Sequence, residues 1–242
     1  YKTRWGRLLL EGNNKADAEG LFQEALAIDK DYAPALVGIA LVGAEDFDKR
    51  AVEMAQKAVE LDPKLVEARE LLARLALEDV DPDRARKEAK AALAVSPKAL
   101  DAMVVLAAIE LLDGQQTKWL DEVAKVNPVY GEGYSLLGHL FVLNRRYEEG
   151  SRYYRKAVEL SPTYWRAHSE LGVNLMRLGE ETEARKHLEV SYENGRRDAK
   201  TVNTLRLMDS YKNFQTFKEA KTVVRLHKKE ATLLRPYVET EL

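Results

Sequence analysis

Cysteine is absent from this chain of 242 residues, and proline is scarce, with seven residues. The missing cysteine excludes disulfide bonds, thiolate zinc sites and thiol nucleophiles, so packing alone must hold the fold together. No apolar run approaches the roughly 20 residues that a membrane-spanning helix needs. The composition therefore predicts a folded chain without membrane insertion, and it leaves the cellular compartment undecided.

An excess of charge of either sign is also missing, because 38 basic side chains stand against 40 acidic ones. A protein that binds nucleic acid through phosphates usually concentrates Lys and Arg, so the balance predicts no nucleic-acid partner. No glycine-rich phosphate loop, Ser/His/Asp signature or HExxH helix is present. We therefore predict no catalytic residue, no metal site and no cofactor, and expect that this chain is not an enzyme.

A repeated segment dominates what is present. "KAVELDPKLVEA" begins at Lys57, and "KAVELSPTYWRA" begins at Lys156, ninety-nine residues later. Prolines that close such segments are spaced by 34, 31 and 34 residues, and Lys30 and Arg196 stand at the equivalent places at either end. These prolines are Pro63, Pro97, Pro128 and Pro162. Self-similarity at a fixed period indicates a stack of like units, here six.

Small residues recur at fixed offsets within each unit. Ala51 and Ala58 are seven residues apart with Ala55 between them, and other units carry larger apolar residues such as Phe22 and Tyr154 at that middle position. Residues at this spacing share one face of a helix, and small ones let a neighbouring helix approach closely. A second set of small residues follows in the other helix of each unit: Gly6, Ala40, Ala73, Ala107, Gly138 and Gly172.

This pattern resembles the tetratricopeptide repeat (TPR) family, whose unit of 34 residues has the same order of small, aromatic and proline positions. The clearest copies are "YGEGYSLLGHLFVLNRRYEEGSRYYRKAVELSP", which starts at Tyr130, and "YWRAHSELGVNLMRLGEETEARKHLEVSYENG", which starts at Tyr164. The resemblance implies an all-α fold, a right-handed α-solenoid of about six stacked helical hairpins with a concave inner surface. It also implies a protein or peptide as the ligand. We expect repeats at about 1–31, 32–64, 65–98, 99–129, 130–163 and 164–197, a capping helix at 198–212 and a tail at 213–242.

The fourth unit departs from the pattern, because it is three residues short and has Gln116 and Val123 where other units have small residues. Its second helix should be shortened or displaced. In the seventh helix Arg206 replaces the small residue, which is expected where no normal partner helix follows. The chain starts partway into a first helix, so we expect that it begins inside a longer parent protein.

The family's inner-groove positions, carried onto this sequence, give the candidate ligand-binding residues. They are Glu67, Glu70, Arg74, Asp101, Glu132, Ser135, His139, Arg166, Ser169 and Arg177. The Lys/Asn/Lys/Arg set with which some TPR domains hold a terminal carboxylate is missing, since Glu70 and Ser135 occupy such positions. The middle of the set is acidic, which favours a ligand with basic and apolar groups. The alternative is that these charges only solvate an exposed helix face.

After Tyr211 the repeat ends. "KTVVRLH" has the β-branched residues of one short strand, and "KKEATLLRPYVETEL" returns to helical spacing with a kink or break expected at Pro236. A single strand leaves its edges unpaired, so it should join a sheet outside this chain or pair with a second copy, giving a homo-oligomer. The tail is also similar to the segment that opens a gluzincin or MA-like metallopeptidase domain in bacterial TPR-peptidase proteins. That resemblance implies the alternative function, the non-catalytic arm of a metallopeptidase whose zinc site lies outside this chain.

Overall fold

A computed structural model of the chain describes residues 1–45, 48–219 and 222–239. Within these ranges, thirteen α-helices follow one another as hairpins and a closing helix, and a two-stranded sheet and a last helix come after them. The solenoid helices are α1 (Lys2–Glu11), α2 (Lys15–Ile28), α3 (Ala33–Glu45), α4 (Arg50–Leu61), α5 (Val66–Glu78), α6 (Pro82–Val95), α7 (Leu100–Leu112), α8 (Trp119–Val126), α9 (Gly131–Leu143), α10 (Tyr147–Leu160), α11 (Trp165–Arg177), α12 (Glu181–Glu193) and α13 (Ala199–Ser210). The predicted all-α solenoid is confirmed.

Several helices begin where the sequence supplies a side-chain acceptor. Asn14, Asp81 and Asp198 each cap the helix that follows, and each accepts a hydrogen bond from a backbone N–H of the first turn. Pro82 occupies the first position of α6, where a missing N–H costs nothing. At the other end of α11, Gly179 has φ of +78°, a left-handed conformation that glycine adopts without strain. Local signals therefore set many of the helix ends.

The small residues of the repeat lie between the two helices of each hairpin. A Cβ atom added to Gly6 would lie 2.7 Å from the ring of Phe22, and one added to Gly138 would lie 2.8 Å from the ring of Tyr154. Both aromatic residues are fully buried. The predicted close approach of the two helices is confirmed, and the buried residues form four clusters along the solenoid, the largest of which runs from Ala73 to Phe141.

The fourth unit has the predicted short second helix, because α8 has eight residues whereas the other second helices have 12 to 14. From the next hairpin, the Arg146 guanidinium donates to the carbonyl oxygens of Leu111 and Leu112, both at 3.2 Å. These oxygens belong to the last turn of α7, which has no intrahelical donors. A residue of the fifth hairpin thus supplies hydrogen bonds to the C-terminal end of α7.

The tail contains two strands, β1 (Phe214–Glu219) and β2 (Thr222–His227), followed by α14 (Ala231–Glu239). The strands are antiparallel, with Phe214 opposite His227. The expectation of a single strand is therefore wrong: "FQTFKE" was not predicted to be extended, and pairing with the β-branched strand makes it so. The prediction of self-association through the tail depended on an unpaired strand, and β2 is paired with β1 within the chain. Residues 220, 221 and 240–242 of the predicted tail lie outside the described residues.

Candidate functional site

The first helices of the hairpins lie side by side along the inner surface of the solenoid, since each contacts the next from α1 to α13. The curve of the solenoid brings α1 and α3 toward α11, and a cavity of about 700 Å³ lies between them. A smaller cavity of about 150 Å³ continues from it toward α9 and α13. We call the two cavities together the groove. The residues that line both are Glu45, Arg74, Asp101, Tyr130, Glu132, Tyr164 and Arg166.

Six of the ten predicted groove residues line the smaller cavity. They are Arg74, Asp101, Glu132, Ser135, His139 and Arg166. The other four, Glu67, Glu70, Ser169 and Arg177, line neither cavity.

Two acidic residues of the third hairpin already have partners inside the chain. Glu67 accepts a hydrogen bond from the Arg7 guanidinium at 2.6 Å. Glu70 accepts hydrogen bonds from the backbone N–H groups of Asp101, at 3.0 Å, and Ala102, at 3.2 Å, and so caps the first turn of α7. Burial, and then the nearby Asp101 carboxylate, raise the pKa of Glu70 to about 7. Neither carboxylate is free for a ligand in this conformation.

Asp101 and Glu132 remain as acidic groups directed at the groove. The Tyr130 hydroxyl donates to Asp101 at 2.6 Å, so one face of that carboxylate is fixed by the protein. Burial and the Asp101 carboxylate raise the pKa of Tyr130, which keeps the phenol neutral. Glu132 is exposed and makes no hydrogen bond or ion pair with any residue that the structure describes. The aromatic side chains of Tyr130 and Tyr164 lie beside these acids in the groove wall.

The basic groups of the groove are paired. Arg166 donates to Glu45 at 2.8 Å, and Arg196 donates to Asp198 at 3.0 Å. Nε of Arg74 lies 3.5 Å from Oε1 of Glu78, and this buried nitrogen makes no hydrogen bond with the described residues. Because these cations already have carboxylate partners, the charge that the groove offers to a ligand is mainly negative.

Two of the predicted residues, Ser135 and Ser169, are buried, and a third, Arg177, does not line the groove. Ser135 is buried at the edge of the smaller cavity. Ser169 is buried against α13, where its hydroxyl lies 2.7 Å from that of Thr201. The guanidinium of Arg177 lies over the ring of Tyr147, 5.6 Å from its centroid. Ser169 and Arg177, both on α11, therefore pack between repeats and do not line the groove.

Sequence analysis missed Glu45, Tyr130 and Tyr164. The two tyrosines precede α9 and α11 as N-cap residues, whereas the family's inner-groove positions lie within the helices. They follow Pro128 and Pro162 at the same distance, so this recurrence was a signal that could have identified them. Glu45 had no such signal, because only the curvature of the solenoid brings it to Arg166.

Within the described ranges, no three His, Asp or Glu side chains are grouped closely enough to hold a metal ion. The same ranges include no helix that is long and apolar enough to cross a bilayer. The resemblance of the tail to the start of a metallopeptidase domain stays a prediction.

Residues 70–118 and 135–199 match the family model of the tetratricopeptide repeat. No curated protein matches the chain in sequence. Both matched segments lie within the solenoid, and together they include the helices that carry Asp101 and all of α11.

Several solved structures are similar to this chain at low sequence identity. PilF of Pseudomonas aeruginosa is 17% identical, with 85% of this chain and 96% of that chain covered and a TM-score of 0.51. The Cut9–Hcn1 hetero-tetramer of the APC/C contains a chain that is 15% identical, with 85% of this chain and 42% of that chain covered and a TM-score of 0.53. The TPR protein YrrB is 16% identical, with 76% and 97% covered and a TM-score of 0.42. The likeness to the first two shows the fold.

Proposed function

Because the chain belongs to the tetratricopeptide repeat family, we propose that it is a protein-binding scaffold that holds a segment of another protein in the groove. Proteins of this family are generally non-catalytic, and the solenoid suggests a surface for protein–protein interaction. The observation that supports the groove as the binding site is its composition. Tyr130, Tyr164, Asp101 and Glu132 are among the residues that line the cavity of about 700 Å³, whereas the repeated small residues lie in the hairpin interiors.

The bound segment carries a basic side chain. Glu132 has no partner among the described residues, and Asp101 has only the neutral Tyr130 hydroxyl. A Lys or Arg side chain between them would gain two carboxylates and could lie against the face of Tyr130 or Tyr164, as cations do on aromatic rings. The apolar parts of the segment would cover Leu10 and Leu41, which also line the larger cavity.

Selection of peptides from a random phage-displayed library on the immobilised chain tests this proposal. We expect enriched sequences that contain Lys or Arg, and synthetic peptides of those sequences should bind at least several-fold more weakly to the Glu132→Gln variant. The matched control is Glu60→Gln, since Glu60 is an exposed acid on the second helix α4 and does not line the groove.

Two results would count against the proposal. Peptides that bind the wild type and Glu132→Gln equally would place the binding surface elsewhere. Enriched peptides without basic residues would leave the groove as the site but remove the proposed charge preference.

A further inference from the structure

One contact in the groove is not required by the stacking of repeats. In a solenoid each repeat packs only on its neighbours. Glu45, at the end of α3, and Arg166, near the start of α11, are 121 residues and four hairpins apart, yet Oε1 of Glu45 lies 2.8 Å from Nη1 of Arg166. The pair therefore bridges the two ends of the curve directly.

We propose that the Glu45–Arg166 ion pair is a clasp that holds the solenoid closed around the groove and so controls access to it. This inference rests on the proposed function, because a clasp matters only if the groove receives a ligand. Both partners line both cavities, so the clasp forms part of the wall that a ligand must pass.

The surroundings of Glu45 suit this role. Its side chain is only 15% exposed and lies between two cations, since Nζ of Lys15 is 3.2 Å from its other carboxylate oxygen. A partly buried pair is screened less by salt than a surface pair, and leaving one of its charges unpaired is costly. Opening the solenoid would leave Arg166 without this partly buried partner, which favours the closed form.

A second ion pair closes the same side of the groove. Arg7 on α1 pairs with Glu67 on α5, so this contact skips α3. Two contacts that skip neighbouring first helices indicate a tightly closed solenoid in this conformation. When the clasp opens, α1 to α4 and α11 to α13 can separate by small rotations at each repeat interface, as in shear motions of packed helices.

Distance measurements by pulsed EPR test the clasp without any ligand. The chain has no cysteine, so Glu11→Cys and Glu193→Cys place two spin labels uniquely, at exposed positions on opposite walls of the groove mouth. We expect one narrow distance distribution in the parent. Glu45→Gln should shift it to longer distances and broaden it, because the ion pair that holds the two walls together is lost.

A charge exchange separates the ion pair from general loss of stability. Lys15 would repel an arginine introduced at position 45, so the exchange is made in a Lys15→Gln background. There, Glu45→Arg together with Arg166→Glu should restore the short distance. The control is Arg69→Met, because Arg69 pairs with Glu88 at 3.1 Å with similar burial but within the third hairpin. That variant should lower the melting temperature and leave the distance unchanged.

An unchanged distance distribution in folded Glu45→Gln would overturn the clasp. Binding of a library-selected peptide is read separately: with the clasp, Glu45→Gln should raise its association rate. If the distance depends on Glu45 but no peptide binds the groove, the clasp stands and the proposed function fails.

Discussion

The third hairpin, α5 and α6, and the fifth, α9 and α10, have helices of the same lengths, 13 and 14 residues. Between its helices the third hairpin places Ala73 and Ala89, both fully buried. The fifth has Gly138 and Tyr154 at the equivalent places, with the Tyr154 ring where a Cβ of residue 138 would lie. The repeat thus preserves a well-filled space rather than a particular residue. It keeps a glycine in mid-helix, against helix propensity, because an aromatic ring needs the room.

The two hairpins also differ on the side that faces the groove. Glu67 and Glu70 of the third hairpin are held by Arg7 and by the N-terminus of α7. At the equivalent positions of the fifth, Glu132 is unpaired among the described residues, and residue 135 is a serine. The equivalent positions therefore hold carboxylates with partners inside the protein in one hairpin, and in the other a buried serine and a carboxylate without a partner in the described part of the chain.

The largest expected effect is that of removing the Tyr154 side chain. Tyr154→Ala should lower the free energy of unfolding by about 3–5 kcal/mol, because it leaves a cavity beside a glycine. Ala89→Gly in the third hairpin should cost only about 1 kcal/mol, mostly through helix propensity. Urea denaturation followed by circular dichroism measures both; equal losses would contradict the difference that we draw between the two interiors.

A double-mutant cycle sharpens the same comparison. Gly138→Ala alone should cost about 1–3 kcal/mol, since the new methyl group meets the Tyr154 ring. Combined with Tyr154→Ala it has room, and the pair reproduces the alanine contact of the third hairpin. We expect a favourable coupling of about 1–3 kcal/mol in denaturation experiments. Strict additivity would mean that the ring and the glycine are not complementary.

Glu70 should make the stability of the third hairpin depend on pH. Its pKa is raised from 4.5 to about 7 on folding, so the stability that it contributes is complete below pH 4.5 and is lost as the pH rises through 7. Glu70→Gln should therefore gain about 2–3 kcal/mol relative to wild type between pH 5 and pH 8. Thermal denaturation at the two pH values measures this; Ser135→Ala in the fifth hairpin is the control and should show no such dependence.

The smallest effects on stability are expected at the acids of the groove wall. Glu67→Gln removes the partner of Arg7 and should cost about 0.5–1 kcal/mol, as a partly exposed ion pair does. Glu132→Gln should leave the free energy of unfolding within about 0.5 kcal/mol of wild type, because its carboxylate has no partner to lose. Ligand affinity should show the reverse order. A marked loss of stability in Glu132→Gln would assign it a structural role instead.

The sequence alone determined the class of fold. Spacing of small residues and prolines predicted the hairpins, the shortened α8 and the helix that ends the solenoid, because each depends on contacts between residues close in the chain. It also directed attention to Asp101, Glu132 and His139 through family positions. It did not predict β1, since a strand of mixed propensity becomes extended only when a partner strand is beside it.

The tertiary structure decided which groove residues are available. The cumulative rotation of one hairpin on the next decides three contacts. They are those of Glu67 with Arg7, of Glu70 with the first turn of α7, and of Glu45 with Arg166. Small differences at each interface add along the solenoid, so contacts between distant repeats cannot be read from the repeat itself. The repeated residues determined the hairpins, and the curvature that the hairpins produce together determined which residues line the candidate site.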